Sequence, residues 1–231
     1  MNLDDKNIPM LEEVAKALGP LTEQAVLLGG CAVGLLIVDK GRSPVRVTND
    51  VDLAINTKTR AEYYALVAQL RERGFQEDTE SKVICRWRLG QLVVDIMPTE
   101  ESVLGFSNSW YKDALRHAST CRLPSGLQVN LVTAPLFLAT KLEAFHSRGK
   151  GDFLMSKDIE DIVAVVDGRP QLPDEVASAD PLLRDYLRDE VEALLSDRSF
   201  LDTLPGQLQG DEANQARLPL IIERLRKIAG L

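Results

Sequence analysis

The chain has 231 residues, a length that suits one large domain or a catalytic domain with a helical appendage. Hydrophobic residues make up 45% of it, ordinary for a globular protein, and no apolar run approaches the length of a membrane span. A net charge of −8 speaks against a surface built wholly for nucleic acid, and three cysteines without CxxC spacing (Cys31, Cys85 and Cys121) speak against a disulfide framework or a zinc site. The acidic start, MNLDDKNIPMLEEV, lacks the basic-then-apolar order of a signal peptide, so a reducing cytoplasm is the expected location, with no membrane association.

In chain order, Met10, Leu11, Val14, Ala15 and Leu18 recur at helical spacing and predict a helix over 9–18, stopped by Gly19-Pro20. Residues 24–28 read as a short strand and 31–38 as a buried helix, with Gly29-Gly30 between them. Glycines there let backbone amides approach a bound group, and a helix N-terminus favours anions. Taken alone, the pair reads first as a tight strand-to-helix turn.

A polar loop, Asp39 to Pro44, leads into Arg46-Val47-Thr48-Asn49-Asp50-Val51-Asp52 and the apolar Leu53-Ala54-Ile55. Side chains of a strand alternate faces, so Asp50 and Asp52 share one face while Val51, Leu53 and Ile55 share the other. Adjacent carboxylates repel unless a proton or cation separates them, and a hard divalent cation, Mg²⁺, is the expected one. Arg46, on the approach, reads either as a phosphate contact or as a solvated strand-edge charge.

Residues 59–73 predict an amphipathic helix with Tyr63, Leu66, Val67 and Leu70 inward, ended by Gly74. The runs 82–89 and 92–97 predict a hairpin about Gly90. Within the second run Asp95 interrupts an apolar strand, and such a carboxylate needs a metal or a partner, the alternative to a metal being an edge-strand Asp paired to an Arg. Residues 99–116 read as loop, with Trp110-Tyr111 as a satellite core element rather than a base-stacking pair. Two further strands, 119–123 and 127–132, flank Pro124-Ser125-Gly126.

Thr133 and Pro135 open a helix with Leu138, Leu142 and Phe145 on one face and Lys141 close to that stripe. A lysine there either snorkels or reaches an anion. His146, a lone histidine, reads as structural. Ser156 caps a helix over 157–166 whose core face is Ile159, Ile162, Val163 and Val166, with Lys157, Asp158 and Asp161 on the other side. Amphipathic helices over 181–196 and 213–229 complete the chain. Residues 174–202 hold nine acidic residues against three arginines, while smaller basic groups recur elsewhere: Lys40, Arg42 and Arg46; Lys82, Arg86 and Arg88; Arg116 and Arg122; Lys141, Arg148 and Lys150.

Gly29-Gly30 and the segment Arg46-x-Thr48-x-Asp50-x-Asp52 resemble the active-site signature of the DNA polymerase β nucleotidyltransferase superfamily, and Lys141 with Lys157-Asp158-Ile159-Glu160-Asp161 matches later pieces of one of its branches. The nearer resemblance is to the AbiEii-like branch, the nucleotidyltransferase toxins of type IV toxin–antitoxin systems, and it runs over residues 24–168. It implies an α/β (α+β) fold: a small mixed β-sheet core at 1–132, flanked by helices, and a helical region at 133–231 that completes the active-site cleft. It implies Asp50, Asp52 and Asp95 as catalytic carboxylates that hold Mg²⁺. Gly29, Gly30, Arg46, Thr48, Lys141 and Lys157 would bind the nucleoside triphosphate, with Lys141 and Asp158 added to the catalytic set. The expected reaction is transfer of a nucleoside monophosphate to an acceptor hydroxyl, with RNA, specifically a tRNA end, as the acceptor and an antitoxin as a partner. A small-molecule, antibiotic-type nucleotidyltransferase is the alternative, and a non-catalytic nucleotide-binding module is a third reading.

Overall fold

The structure is a computed structural model that describes residues 5–39, 41, 44–149 and 151–231. Lys40, Arg42 and Lys150, named above among the basic groups, lie outside the described residues. Its elements in chain order are α1 (Ile8–Leu18), β1 (Ala25–Leu28), a 3-10 turn (Gly30–Ala32), α2 (Val33–Leu36), β2 (Asp50–Ile55), α3 (Arg60–Glu72), β3 (Gln76–Glu77), β4 (Arg86–Leu89) and β5 (Leu92–Pro98). There follow α4 (Glu101–Leu104), α5 (Tyr111–Arg116), β6 (Ser119–Arg122), β7 (Gln128–Leu131), α6 (Ala134–Arg148) and α7 (Lys157–Gly168). The chain closes with α8 (Leu172–Ala177), α9 (Pro181–Ser196), α10 (Arg198–Thr203), α11 (Glu212–Gln215) and α12 (Leu218–Ala229). The fold is mixed α/β with a helical C-terminal region, as the sequence predicts, and no described helix is long and apolar enough to cross a membrane.

The chain forms two compact units. The sheet unit comprises Leu3–Ala32 and Arg46–Thr133, and the helical unit Val33–Val45 and Ala134–Leu231. The sheet unit holds seven strands in the order β3-β4-β5-β2-β1-β7-β6. At its centre β2 runs antiparallel to β1 and parallel to β5, with Asp52 in register with Asp95. One face of this centre is apolar. Val51, Leu53 and Leu27 lie against Leu11, Val14 and Leu18 of α1 around a small apolar cavity, and Val94, Ile96 and Trp87 are buried as well. The aspartates of β2 and β5 leave on the opposite face, the alternation expected of a pleated strand. Beside β1, the side-chain amide of Asn130 donates to the carbonyls of Thr22, Glu23 and Ala25, which ties β7 to the entry of β1.

In the helical unit α6 packs on α7 and α9, and α12 on α9, α7 and α8. Leu183, Leu187, Val191 and Leu194 of α9 and Ile221, Leu225 and Ile228 of α12 are buried, the stripes their 3.6-residue period dictates. The C-terminus of α7 is capped by side chains: Arg224 donates to the carbonyls of Val166 and Asp167, and Arg217 donates to the Asp167 carboxylate at 2.7 Å and to Asp39 at 2.6 Å. Exposed helix-end carbonyls need such donors.

Elements β3, α8 and α10 have no counterpart in the sequence reading, and four stretches that it covers differ from it. The helix expected over 31–38 reduces to a 3-10 turn and four α-helical residues, because the amides of Val38 and Asp39 both donate to the carbonyl of Gly168 instead of continuing it. The first hairpin strand begins at Arg86, not 82, because the Arg86 amide closes a turn onto Val83. Residues 99–116 contain two short helices, α4 and α5; Trp110 and Tyr111 are buried there, as a satellite core requires. The helix expected over 213–229 breaks at 216–217, since Pro219 would clash with the carbonyl four residues earlier and therefore sits in the first turn of a new helix.

Candidate active site

The carboxylate face of the sheet unit is organised as a row. Leu28 of β1, Asp52 of β2, Asp95 of β5 and Arg86 of β4 are successive register partners across four strands. Neighbouring strands stand about 4.8 Å apart, so the side chains of Asp52, Asp95 and Arg86 emerge side by side. Asp50, two residues before Asp52, leaves on the same face.

Each member is held. Arg86 makes a two-pronged contact with Asp95, Nε to Oδ1 at 2.8 Å and Nη2 to Oδ2 at 2.7 Å, and Nη2 also reaches Oδ2 of Asp50 at 3.4 Å. The Asp95 hydrogen bonds hold the guanidinium above its ordinary ionisation range despite partial burial. Asp50 Oδ1 accepts the Thr48 hydroxyl at 2.8 Å. Thr48 is fixed in turn by buried Asn7, which accepts the Thr48 amide at 3.0 Å and donates to the Arg46 carbonyl at 3.1 Å. The segment 46–49 has no strand partner, and Asn7 supplies the pairing that a neighbouring strand would. Cys85, next to Arg86 and buried, shows the local field: burial first, then the Asp95 and Asp52 charges, push its thiol up to about 12.

Gly29 follows β1 directly, with φ of +71°, a left-handed conformation that favours glycine. A Cβ at this position would lie 1.9 Å from Oδ2 of Asp52. The glycine therefore makes room for the carboxylate that faces it. Gly30 is buried at the start of the 3-10 turn. The expectation that a helix N-terminus there attracts anions is not met, because α2 has four residues and no useful macrodipole.

The remaining expected site residues belong to the helical unit. Lys141 is 6% exposed, with Nζ 3.1 Å from Asp158 Oδ1 and 2.7 Å from Asp161 Oδ2. Arg148 adds bonds from Nε to Asp158 Oδ2 at 2.9 Å and from Nη2 to Oδ1 at 2.8 Å. Asp158 and Asp161, expected opposite the core face of α7, are both buried against α6, because Lys141 and Arg148 provide the countercharge that burial demands. Lys157 is exposed. His146 meets Glu190 at 2.5 Å, a surface contact between α6 and α9.

Three participants escaped the sequence reading. Arg86 appeared there only among basic groups, yet a two-residue turn at Gly90-Gln91 sets Leu89 opposite Leu92 and hence Arg86 opposite Asp95. That register was legible. Arg148, likewise named only among the basic groups, lies in the last turn of α6. Asn7 gave no local signal, because its partners are about forty residues away.

Mg²⁺ is the ion this donor chemistry suits: oxygen donors from a half-open pair, Asp50 and Asp52. Asp95 does not complete the set as it stands, since both of its oxygens are occupied by Arg86. Among the described residues no three carboxylate, His or Cys groups converge as a metal site.

No protein-family model matches the chain, and no curated protein matches it in sequence. Solved structures do match its fold. An antigenic nucleotidyltransferase-like protein from Paracoccidioides brasiliensis superposes with a TM-score of 0.52 at 18% identity, over 87% of this chain and 92% of that one. The antibiotic-resistance factor ANT(2'')-Ia, known from a solution structure, gives a TM-score of 0.47 at 17% identity, over 84% of this chain and 97% of its own. The chain has a nucleotidyltransferase-like fold.

Proposed function

We propose that the chain is a Mg²⁺-dependent nucleotidyltransferase that transfers a nucleoside monophosphate from a nucleoside triphosphate to an acceptor hydroxyl. The observation that carries this reading is the row Asp52–Asp95–Arg86 with Asp50 beside it and Gly29 shaped to Asp52, on a sheet of nucleotidyltransferase-like topology. Asp50 and Asp52 would hold the ion. Bound Mg²⁺ supplies charge neutralisation at the phosphate oxygens. Thr48, hydrogen-bonded to Asp50, orients that carboxylate, and Gly29 and Gly30 would bring backbone amides to a phosphate. The acceptor oxygen attacks the α-phosphorus, its proton passes to a carboxylate or to water, and the bond to pyrophosphate breaks. Arg46, Lys141, Lys157 and Asp158 enter as nucleotide-binding and catalytic residues through the AbiEii-like resemblance alone.

That resemblance also supports RNA, a tRNA end, as the acceptor and a toxin role with an antitoxin partner. One observation favours a second reading. Arg88, Arg116 and Arg148, members of the basic groups that an RNA backbone would need, are each bound to a carboxylate of the chain, Asp78, Asp113 and Asp158. Their charge is partly spent, which keeps a small hydroxylated molecule as the alternative acceptor. The deciding experiment incubates the protein with each labelled triphosphate and Mg²⁺, beside total RNA and a panel of aminoglycosides and lincosamides. Label on RNA supports the first reading, label on a drug the second. No transfer to any acceptor, protein included, under conditions where the protein is folded overturns both.

A further inference from the structure

One of the three carboxylates on the sheet face is closed to a metal by a neighbour on the same face. Arg86 covers both oxygens of Asp95 with one planar fork, at 2.8 and 2.7 Å, and the pair is largely shielded: the Asp95 side chain is 10% exposed and that of Arg86 25%. A fork-on-fork contact takes one lone pair on each oxygen and sets a full positive charge against the carboxylate, which opposes a divalent ion there. A guanidinium does not give up its charge, so it repels a divalent ion at this carboxylate. The third contact, 3.4 Å from Nη2 to Asp50, extends the guanidinium toward the aspartate pair itself.

We propose that Arg86 is the resting counter-ion of Asp95, and that a divalent cation gains Asp95 as a ligand only after Arg86 has released it. The inference rests on the reading of Asp50 and Asp52 as the metal-binding pair. Arg86 is here a positioning residue. While it is in place, Asp95 is oriented and neutralised, and metal binding falls to Asp50 and Asp52. When it leaves, the face gains a third oxygen donor group and a free guanidinium suited to an anion. Every group involved lies on three adjacent strands of one sheet, so the exchange needs only a side-chain rotation of Arg86.

The test is titration of the full chain with Mn²⁺ alone, followed by isothermal calorimetry and by loss of the free-ion paramagnetic resonance signal. Arg86→Gln is expected to bind Mn²⁺ about tenfold more tightly, or to take up an additional ion, the scale set by removing one charge-assisted contact. Arg86→Lys keeps the charge without the fork and is expected to fall between; it also serves if the glutamine variant does not fold. In the Arg86→Gln background, Asp95→Asn is expected to abolish the gain. Wild-type or weaker Mn²⁺ binding by the folded Arg86 variants would overturn the proposal. Asp50→Asn and Asp52→Asn separate the two levels. If neither weakens Mn²⁺ binding, the metal reading itself is wrong; if both weaken it and the Arg86 variants change nothing, only the role given to Arg86 fails.

Discussion

Gly29 and Asp52 occupy one space: a methyl group at position 29 would lie 1.9 Å from the Asp52 carboxylate oxygen and 2.5 Å from its carbon. The left-handed φ of Gly29 adds a second demand for glycine. Gly29→Ala is therefore expected to cost about 1–2 kcal/mol from backbone strain alone, and more through displacement of Asp52. Urea unfolding gives the stability change, and transfer activity should fall further than stability does. An alanine variant with wild-type stability and wild-type transfer would show that Asp52 is free to move.

Asp50→Asn and Asp52→Asn preserve shape and remove charge. If the pair holds Mg²⁺, each variant should lose several kcal/mol of transition-state stabilisation, roughly a thousandfold or more in kcat/KM. The fold should survive, because the apolar core lies on the other face of β2, at Val51, Leu53 and Ile55. Undiminished transfer by either variant would rule out the metal-binding role.

Asn7 offers a test remote from the reacting groups. Its side chain accepts from the Thr48 amide and donates to the Arg46 carbonyl, and Thr48 then bonds Asp50. Asn7→Ala leaves both backbone groups without these partners and is expected to cost about 1–3 kcal/mol. The Mn²⁺ affinity of the variant should fall with the orientation of Asp50, and Asn7→Asp, which keeps one acceptor, should recover part of it. Loss of stability with unchanged Mn²⁺ affinity would make Asn7 a purely structural residue.

These residues show which parts of the molecule the chain's local chemistry announces. The face shared by Asp50 and Asp52 follows from strand alternation, and the position of Asp95 follows from an aspartate in an apolar run. Helices α1, α3, α7 and α9 are legible because their apolar stripes and stop signals lie within one window. What is not legible depends on distant partners. The Gly168 carbonyl cuts short the helix expected at 31–38, and Lys141 and Arg148 on α6 turn the acidic side of α7 inward. A countercharge from another element reverses what helical periodicity alone would place in solvent.

The buried cluster of the helical unit carries the last prediction, and it concerns stability and acid. Lys141 lies between Asp158 and Asp161 with almost no exposure, so Lys141→Met removes a countercharge shared by two buried carboxylates, of which Asp158 keeps Arg148. Removing one partner of such a group costs about 3–5 kcal/mol, so a large fall in the unfolding midpoint is expected, beyond any effect on catalysis. The pH dependence has a definite sign. Burial pushes the Asp158 carboxyl up, but the Arg148 hydrogen bonds and the charges of Lys141 and Arg148 outweigh it, and the group is held below its ordinary 3.8. A carboxyl lowered in the folded state contributes stability that is complete above the unfolded value and lost as pH falls through the folded one. Stability should thus decline below about pH 3.8 in part through this group, and Asp158→Asn should flatten that limb while lowering stability at neutral pH. Chemical unfolding at a series of pH values measures both. A Lys141→Met variant as stable as the wild type, or an acid limb unchanged by Asp158→Asn, would mean that the cluster does not hold α6 against α7.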